Sequence, residues 1–241
     1  MEKYYHLINK YQDKNISAFI LGAGPSLYHI LYNCSQKDIN KVSQNVVITT
    51  NSSILAGVNK LGWKKGDINN RYWISNDSLA MRWTWWQDVK ESKCIKIVRN
   101  SWEKYKKDLD GFLFFKPRST SEGVIDYEEK FLCYCSSIPS SLDLALQMGI
   151  KKIFLIGVDQ DIDNGKHHFW QFFDKKNQPR QLKPAQGTWE QQKQSFVFNN
   201  MAYKALLDFS KYKNATIYNC NLNNKVGIFK NIEFSKCISK I

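Results

Sequence analysis

Nowhere in the 241 residues is there an unbroken apolar run approaching the roughly 18 residues that suggest a membrane-spanning helix. The opening MEKYYHLINKYQDKN carries charge and no apolar core segment, which argues against a secretory signal. Cysteine is sparse: Cys34, Cys94, Cys133, Cys135, Cys220 and Cys237 form no CxxC pair, and Cys133 and Cys135 are too close to imply a zinc site by spacing. They read as reduced thiols of a cytosolic protein. A long basic tail or Arg-rich helix is also missing. The formal charge of +13 comes from scattered lysines, such as Lys64 with Lys65, Lys106 with Lys107 and Lys151 with Lys152. That favours a compositional bias toward lysine and asparagine over a nucleic-acid groove, although such a surface attracts anions: nucleotides, phosphorylated glycans or acidic lipid. No internal repeat and no low-complexity linker divides the chain. Its length and its 43% hydrophobic content suit a single α/β domain with a proper core.

What is present is an alternation of short apolar runs and helical patterns. Residues 16–21 read as a buried strand ending in glycine, and Pro25 suits the first turn of a helix through LYHILYNC. Further strands are expected at 46–50, 71–75, 94–98 and, more briefly, 113–115. A helix through Ile54, Leu55 and Val58 follows the second. LDLALQMG is a helix with Gly149 at its C-terminal cap, leading into KKIFLI at 151–156, apolar enough for an interior strand. A long helix over 189–212 would turn Phe196, Met201, Ala205, Leu206 and Phe209 inward, before a last strand at 215–218. The expected fold is α/β: a single Rossmann-like, open, mostly parallel sheet with helices on both faces. It forms one nucleotide-binding domain over 1–241 with a lid-like insertion at about 161–194.

The strand ends carry the functional signal. They read GAGPS, NSS, NDS, GVDQD and NCN, and ligands of open parallel sheets bind beyond the carboxyl ends of the strands. Such residues also form ordinary turns. In FILGAGPSL, Gly22 and Gly24 let the backbone turn and approach a ligand closely, and the following helix offers N–H groups to a phosphate. GAGPSL lacks the third glycine of a dinucleotide fingerprint, and no GK[ST] follows, so it is not a Walker A loop. A plain turn with no ligand is the competing reading.

GAGPSL, the Asn- or Asp-containing ends of the next two strands, and SIPSSLDLALQMGIKKIFLIGVD together resemble one superfamily. It contains the archaeal 6-hydroxymethylpterin diphosphokinase-like proteins, the flagellar motility accessory factors and, similar to these, the Campylobacter-type CMP-sialic acid sialyltransferases. The resemblance spans about 17–234. The sialyltransferase likeness implies that Gly22, Ala23, Gly24, Pro25 and Ser26 form a loop near the nucleotide phosphate. It further implies that Asn51 and Asn76, with Asp77 beside it, contact nucleotide and sugar, that Ser136 and Ser137 stand at the mouth of the donor site, and that Gly157 and Asp159 are its Gly-x-Asp. The tyrosines that family places after Gly-x-Asp correspond to Asp161 and His168, with a one-residue insertion. The segment 178–194, matching its lid, contains no histidine. The pterin-kinase and motility branch is matched by Asp159, Gly165 and His167 or His168 in that order.

The chemistry that follows has His168 or His167 as general base toward an acceptor hydroxyl, with Asp161 nearby. Asp159 and Asp161, alternate residues of an extended segment, would face one Mg²⁺ if the donor were ATP. Trp83, Trp85 and Trp86 read as core packing before they read as a stacking surface. Arg180 and Lys183 could close over phosphates. The leading reading is a glycosyltransferase-like transferase taking a sugar from a CMP-type nucleotide donor to a glycan acceptor, with no prosthetic group. The alternatives are a Mg²⁺-dependent diphosphokinase using ATP and a non-catalytic nucleotide- or nucleic-acid-binding module. A cytoplasmic location is expected. The C-terminal IFKNIEFSKCISKI leaves room for peripheral contact with an anionic membrane face, and homo-oligomerisation stays open.

Overall fold

The computed structural model describes residues 4–119, 130–182 and 189–241. Nine strands form one sheet: β1 (Ser17–Leu21), β2 (Val46–Thr50), β3 (Arg71–Ser75), β4 (Ile95–Arg99), β5 (Phe112–Arg118), β6 (Lys130–Leu132), β7 (Lys152–Ile156), β8 (Thr216–Asn219) and β9 (Lys230–Asn231). Their order is β6-β5-β4-β3-β2-β1-β7-β8-β9, and every pairing is parallel. The expected sheet is therefore present and wholly parallel. β6 and β9, only three and two residues long, are edge strands too short to leave an apolar signature.

Side chains alternate across the pleat, and each face has its own core. Ala18, Ile20, Ile48, Ile74 and Ile153 pack on one face with helices α4 (Ile138–Gln147) and α5 (Trp189–Tyr212). Phe19, Leu21, Val47, Trp73 and Phe154 pack on the other. There they meet α1 (Gln36–Ser43), α2 (Ile54–Asn59), α3 (Trp86–Glu91) and α6 (Phe234–Ile238). Burial on both faces explains the continuous apolar runs of the strands.

Four expectations change in detail. The helix after GAGPS takes the wider π geometry over Tyr28–Tyr32. In α5, Met201 is half exposed, whereas Asn199, Ala202, Tyr203, Leu206 and Phe209 are buried. These residues recur every three or four positions and form the true inward stripe. The C-terminal segment turns Phe229, Ile232, Cys237 and Ile238 into the core, so these side chains offer no outward apolar face. Within the lid-like stretch, Thr84 N–H donates to Arg180 C=O at 2.9 Å and Leu182 N–H to Arg82 C=O at 2.6 Å, stitching it to the loop after β3. Lys183 lies outside the described residues. Trp85 is buried, and Trp86 packs against Trp73, Trp102 and Phe112, as core packing requires. No helix among the described residues is long and apolar enough to cross a membrane.

Candidate functional site

The chain runs outward from β1 to β6 and then returns to place β7 on β1's other side. β1 and β7 thus flank the point where strand order reverses, where the loops diverge and a crevice opens. The loops here are tightly joined. Gly22 N–H donates to Ile156 C=O at 2.7 Å, and Gly24 N–H to Gly157 C=O at 2.9 Å. A methyl at Gly22 would lie inside the Gly157 carbonyl, and one at Gly24 would be 2.5 Å from Asp159 Oδ2. The two glycines are therefore demanded by the β7 loop rather than by a ligand's close approach.

Asp159 fills the place expected for a phosphate. It accepts Ser26 N–H at 2.8 Å, Ser26 Oγ–H at 2.5 Å and Asn221 Nδ2–H at 2.9 Å. Burial raises its pKa against the pull of these hydrogen bonds. Gln160 has φ +53°, so the backbone turns left-handed between Asp159 and Asp161. The extended geometry that would aim both carboxylates at one ion is absent. Asp161 instead accepts Ile162 N–H at 2.9 Å and lies 3.8 Å from Lys225 Nζ. Among the described residues no group of three or more His, Cys, Asp and Glu side chains is placed to hold a metal.

A second network holds the ends of β2 and β3 to the start of α4. Asn51, at φ +47°, accepts Ser75 Oγ–H at 2.7 Å and Ser137 Oγ–H at 3.4 Å through Oδ1. Its Nδ2 has no hydrogen-bond partner among the described residues. Asn76 is fully engaged: Nδ2–H donates to Ser136 C=O at 2.9 Å, Oδ1 accepts Ser140 Oγ–H at 3.1 Å, and its N–H donates to Ser137 Oγ at 3.0 Å. Asp77 caps the next turn through Leu79 N–H at 2.9 Å. Asn76 and Asp77, expected to contact the nucleotide, are spent on these joints and stand outside the cleft lining.

Between the networks lies a cleft of about 190 Å³. Ala23, Gly24, Asn51, Ser136, Ser137, Gly157, Asp159, Asp161, His167 and His168 line it, joined by Gln160 and by Asn199 and Tyr203 from α5. Ten predicted residues therefore converge, while Pro25 and Ser26 face a neighbouring hollow of about 520 Å³ beyond Asp159. That hollow also holds His29, whose Nε2 lies 2.7 Å from Asp163 Oδ2. No lysine or arginine lines the cleft among the described residues.

The histidines are unlike each other. The His168 ring stacks on Trp170 at 5.3 Å. Desolvation, with a smaller effect from His167, lowers its pKa to about 4. It is neutral near pH 7 and a weak base there, well below the range that suits proton abstraction. Phe169 N–H donates to Ala23 C=O at 3.0 Å and holds the following segment on the glycine loop. Gln171 Oε1 accepts both His167 and His168 N–H, at 2.6 and 2.8 Å.

Gln160, Asn199 and Tyr203 were not singled out by sequence. Asn199 carried a legible signal, a polar residue on the apolar stripe of a long helix. Gln160 carried none.

No protein-family model matches this chain, and a sequence search among curated proteins finds no match. Among solved structures it is similar to the sialyltransferase CstII from Campylobacter jejuni in complex with cytidine-5′-monophosphate (14% identity, 90% of this chain and 85% of that chain, TM-score 0.46). It is similar also to the monofunctional α-2,3-sialyltransferase Cst-I from Campylobacter jejuni (14% identity, 90% and 80% covered, TM-score 0.47). A third similar structure is sialyltransferase CST-II with trisaccharide acceptor and CMP (14% identity, 89% and 84% covered, TM-score 0.40).

Proposed function

We propose that this chain is a glycosyltransferase-like enzyme that moves a sugar from a CMP-type nucleotide donor to a hydroxyl of a glycan acceptor. The observation that carries the reading is the lining of the switch-point cleft: amides, hydroxyls and two carboxylates, with no lysine or arginine among the described residues. Its amide and hydroxyl donors suit a donor with one phosphate between sugar and nucleoside. It is a poor host for Mg²⁺-ATP, because the left-handed turn at Gln160 keeps Asp159 and Asp161 from facing one ion and Asp159 already accepts from Ser26 and Asn221. The resemblance of GAGPSL and of the unit ending in Gly157-Val158-Asp159 to the CMP-sugar enzymes supports cytidine as the nucleoside.

In this proposal the acceptor hydroxyl attacks the anomeric carbon, the bond from that carbon to the phosphate oxygen breaks, and CMP departs. Asn51 Nδ2–H and the cleft hydroxyls stabilise the departing oxygen. His167 takes the hydroxyl proton, since His168 is desolvated and held neutral. Asp161, on the same lining, orients the acceptor in this reading.

The test is a thermal-shift panel of CMP, CDP, UDP, GDP, ATP and a CMP-sugar, each with and without Mg²⁺. Metal-independent stabilisation by CMP is expected, about 2.7 kcal/mol at a hundredfold excess over Kd. Asn51→Asp keeps the acceptor for Ser75 and tolerance of the left-handed backbone but loses the Nδ2–H donor, and should weaken CMP binding. Stabilisation by ATP only with Mg²⁺, or none across the panel, overturns the proposal.

A further inference from the structure

Asn199 and Gln160 line the cleft, and their side-chain amides have no hydrogen-bond partner among the described residues. Asn199 is 3% exposed in the middle of α5, where asparagine is a poor helix former. Its Oδ1 is buried without a hydrogen bond, as is Gln160 Nε2. Neither residue makes any other side-chain hydrogen bond among the described residues. Buried amides are costly when unpaired, and folded chains rarely keep them without a reason. Gln160 also sits at φ +53°, a conformation unfavourable for a residue of its kind. Two unpaired amides on one cleft are an unmet demand for a ligand.

We infer that Asn199 and Gln160 read a ligand group that presents a hydrogen-bond donor beside an acceptor. A primary amide offers N–H and C=O side by side, which is how asparagine and glutamine grip a base edge in two contacts. The complementary chemistry is an amide or amidine edge. On a nucleotide-sugar it has two sources, the pyrimidine base and an acylamino substituent of the sugar. The size agrees: an engineered cavity of about 150 Å³ accepts benzene, so the cleft of about 190 Å³ takes one ring or one acylamino group. Both amide atoms named above are shielded from water in the free chain, so side-chain rotation on binding brings them to the ligand. The inference rests on the cleft taking a nucleotide-activated donor and adds which side chains select it.

The experiment measures Tm and affinity for wild type, Asn199→Leu and Gln160→Met. The probes are CMP, ribose 5-phosphate, and CMP-sugars with and without an N-acetyl group. Leucine and methionine keep the volume and remove the amide. Both free variants should hold or raise their Tm, because an unpaired buried polar group has been replaced by an apolar one. Each should bind the responsible probe at least tenfold more weakly. Loss for CMP but not ribose 5-phosphate assigns the base. Loss confined to the N-acetylated CMP-sugar assigns the acyl group. Unchanged affinity for every probe that wild type binds overturns this inference alone. A Tm lowered by several degrees in both free variants also overturns it, because the amides are then structural and satisfied by water. Failure of wild type to bind any probe overturns the donor reading, and this inference with it.

Discussion

Ser26 gives both its backbone N–H and its hydroxyl to one carboxylate, Asp159, at 2.8 and 2.5 Å across 133 positions of sequence. The same hydroxyl accepts Gly157 N–H at 3.1 Å, and Asn221 reaches Asp159 from the end of β8. Three strand ends are thus tied through one buried acid. Asp159→Ala leaves these donors without their acceptor and should cost about 3 kcal/mol. Ser26→Ala should cost less, about 1–2 kcal/mol. Urea denaturation of both variants checks the order. Equal, small losses would show that Asp159 does not hold the loops together.

Gly22→Ala tests why the glycine loop is glycine. The added methyl collides with the Gly157 carbonyl, a backbone atom that cannot rotate aside. A loss of about 3 kcal/mol or more in denaturant stability is expected with no ligand present. A variant as stable as wild type in the free state, but defective in nucleotide binding, would restore the view that the loop is glycine-rich for a ligand.

His168 gives the pH dependence. Its pKa is about 4 in the fold against an ordinary 6.5, chiefly through desolvation. Between those values the unfolded chain binds more protons than the folded one, so stability rises with pH across this window and is level above it. The contribution reaches about 3 kcal/mol at most and is lost as pH falls from 6.5 to 4. His168→Gln should flatten the difference in stability between pH 7 and 4.5, measured against wild type so that other titrating groups cancel. An unchanged slope would show that the ring is solvated.

Sequence alone determined the layered α/β plan, because strands buried on both faces must be continuously apolar and their connecting helices amphipathic. β2 and β3 were legible to the residue at 46–50 and 71–75. β6 and β9 were not, since a short edge strand buries too little to mark the sequence. The rim of small and polar strand ends was legible too, and most of its residues do meet at the cleft.

What each does there was decided only by tertiary structure. Asn76 and Asn51 look alike in sequence, yet the first is consumed by Ser136, Ser137 and Ser140 while the second keeps its Nδ2–H beside the cleft. Gly22 and Gly24 look like a phosphate loop, yet the β7 backbone and Asp159 occupy the space. His167 and His168 are neighbours in the chain, and only the desolvation of one ring against Trp170 separates their surroundings. The physical reason is common to all three: a residue type states which hydrogen bonds it can make, and only long-range packing determines whether they are already made.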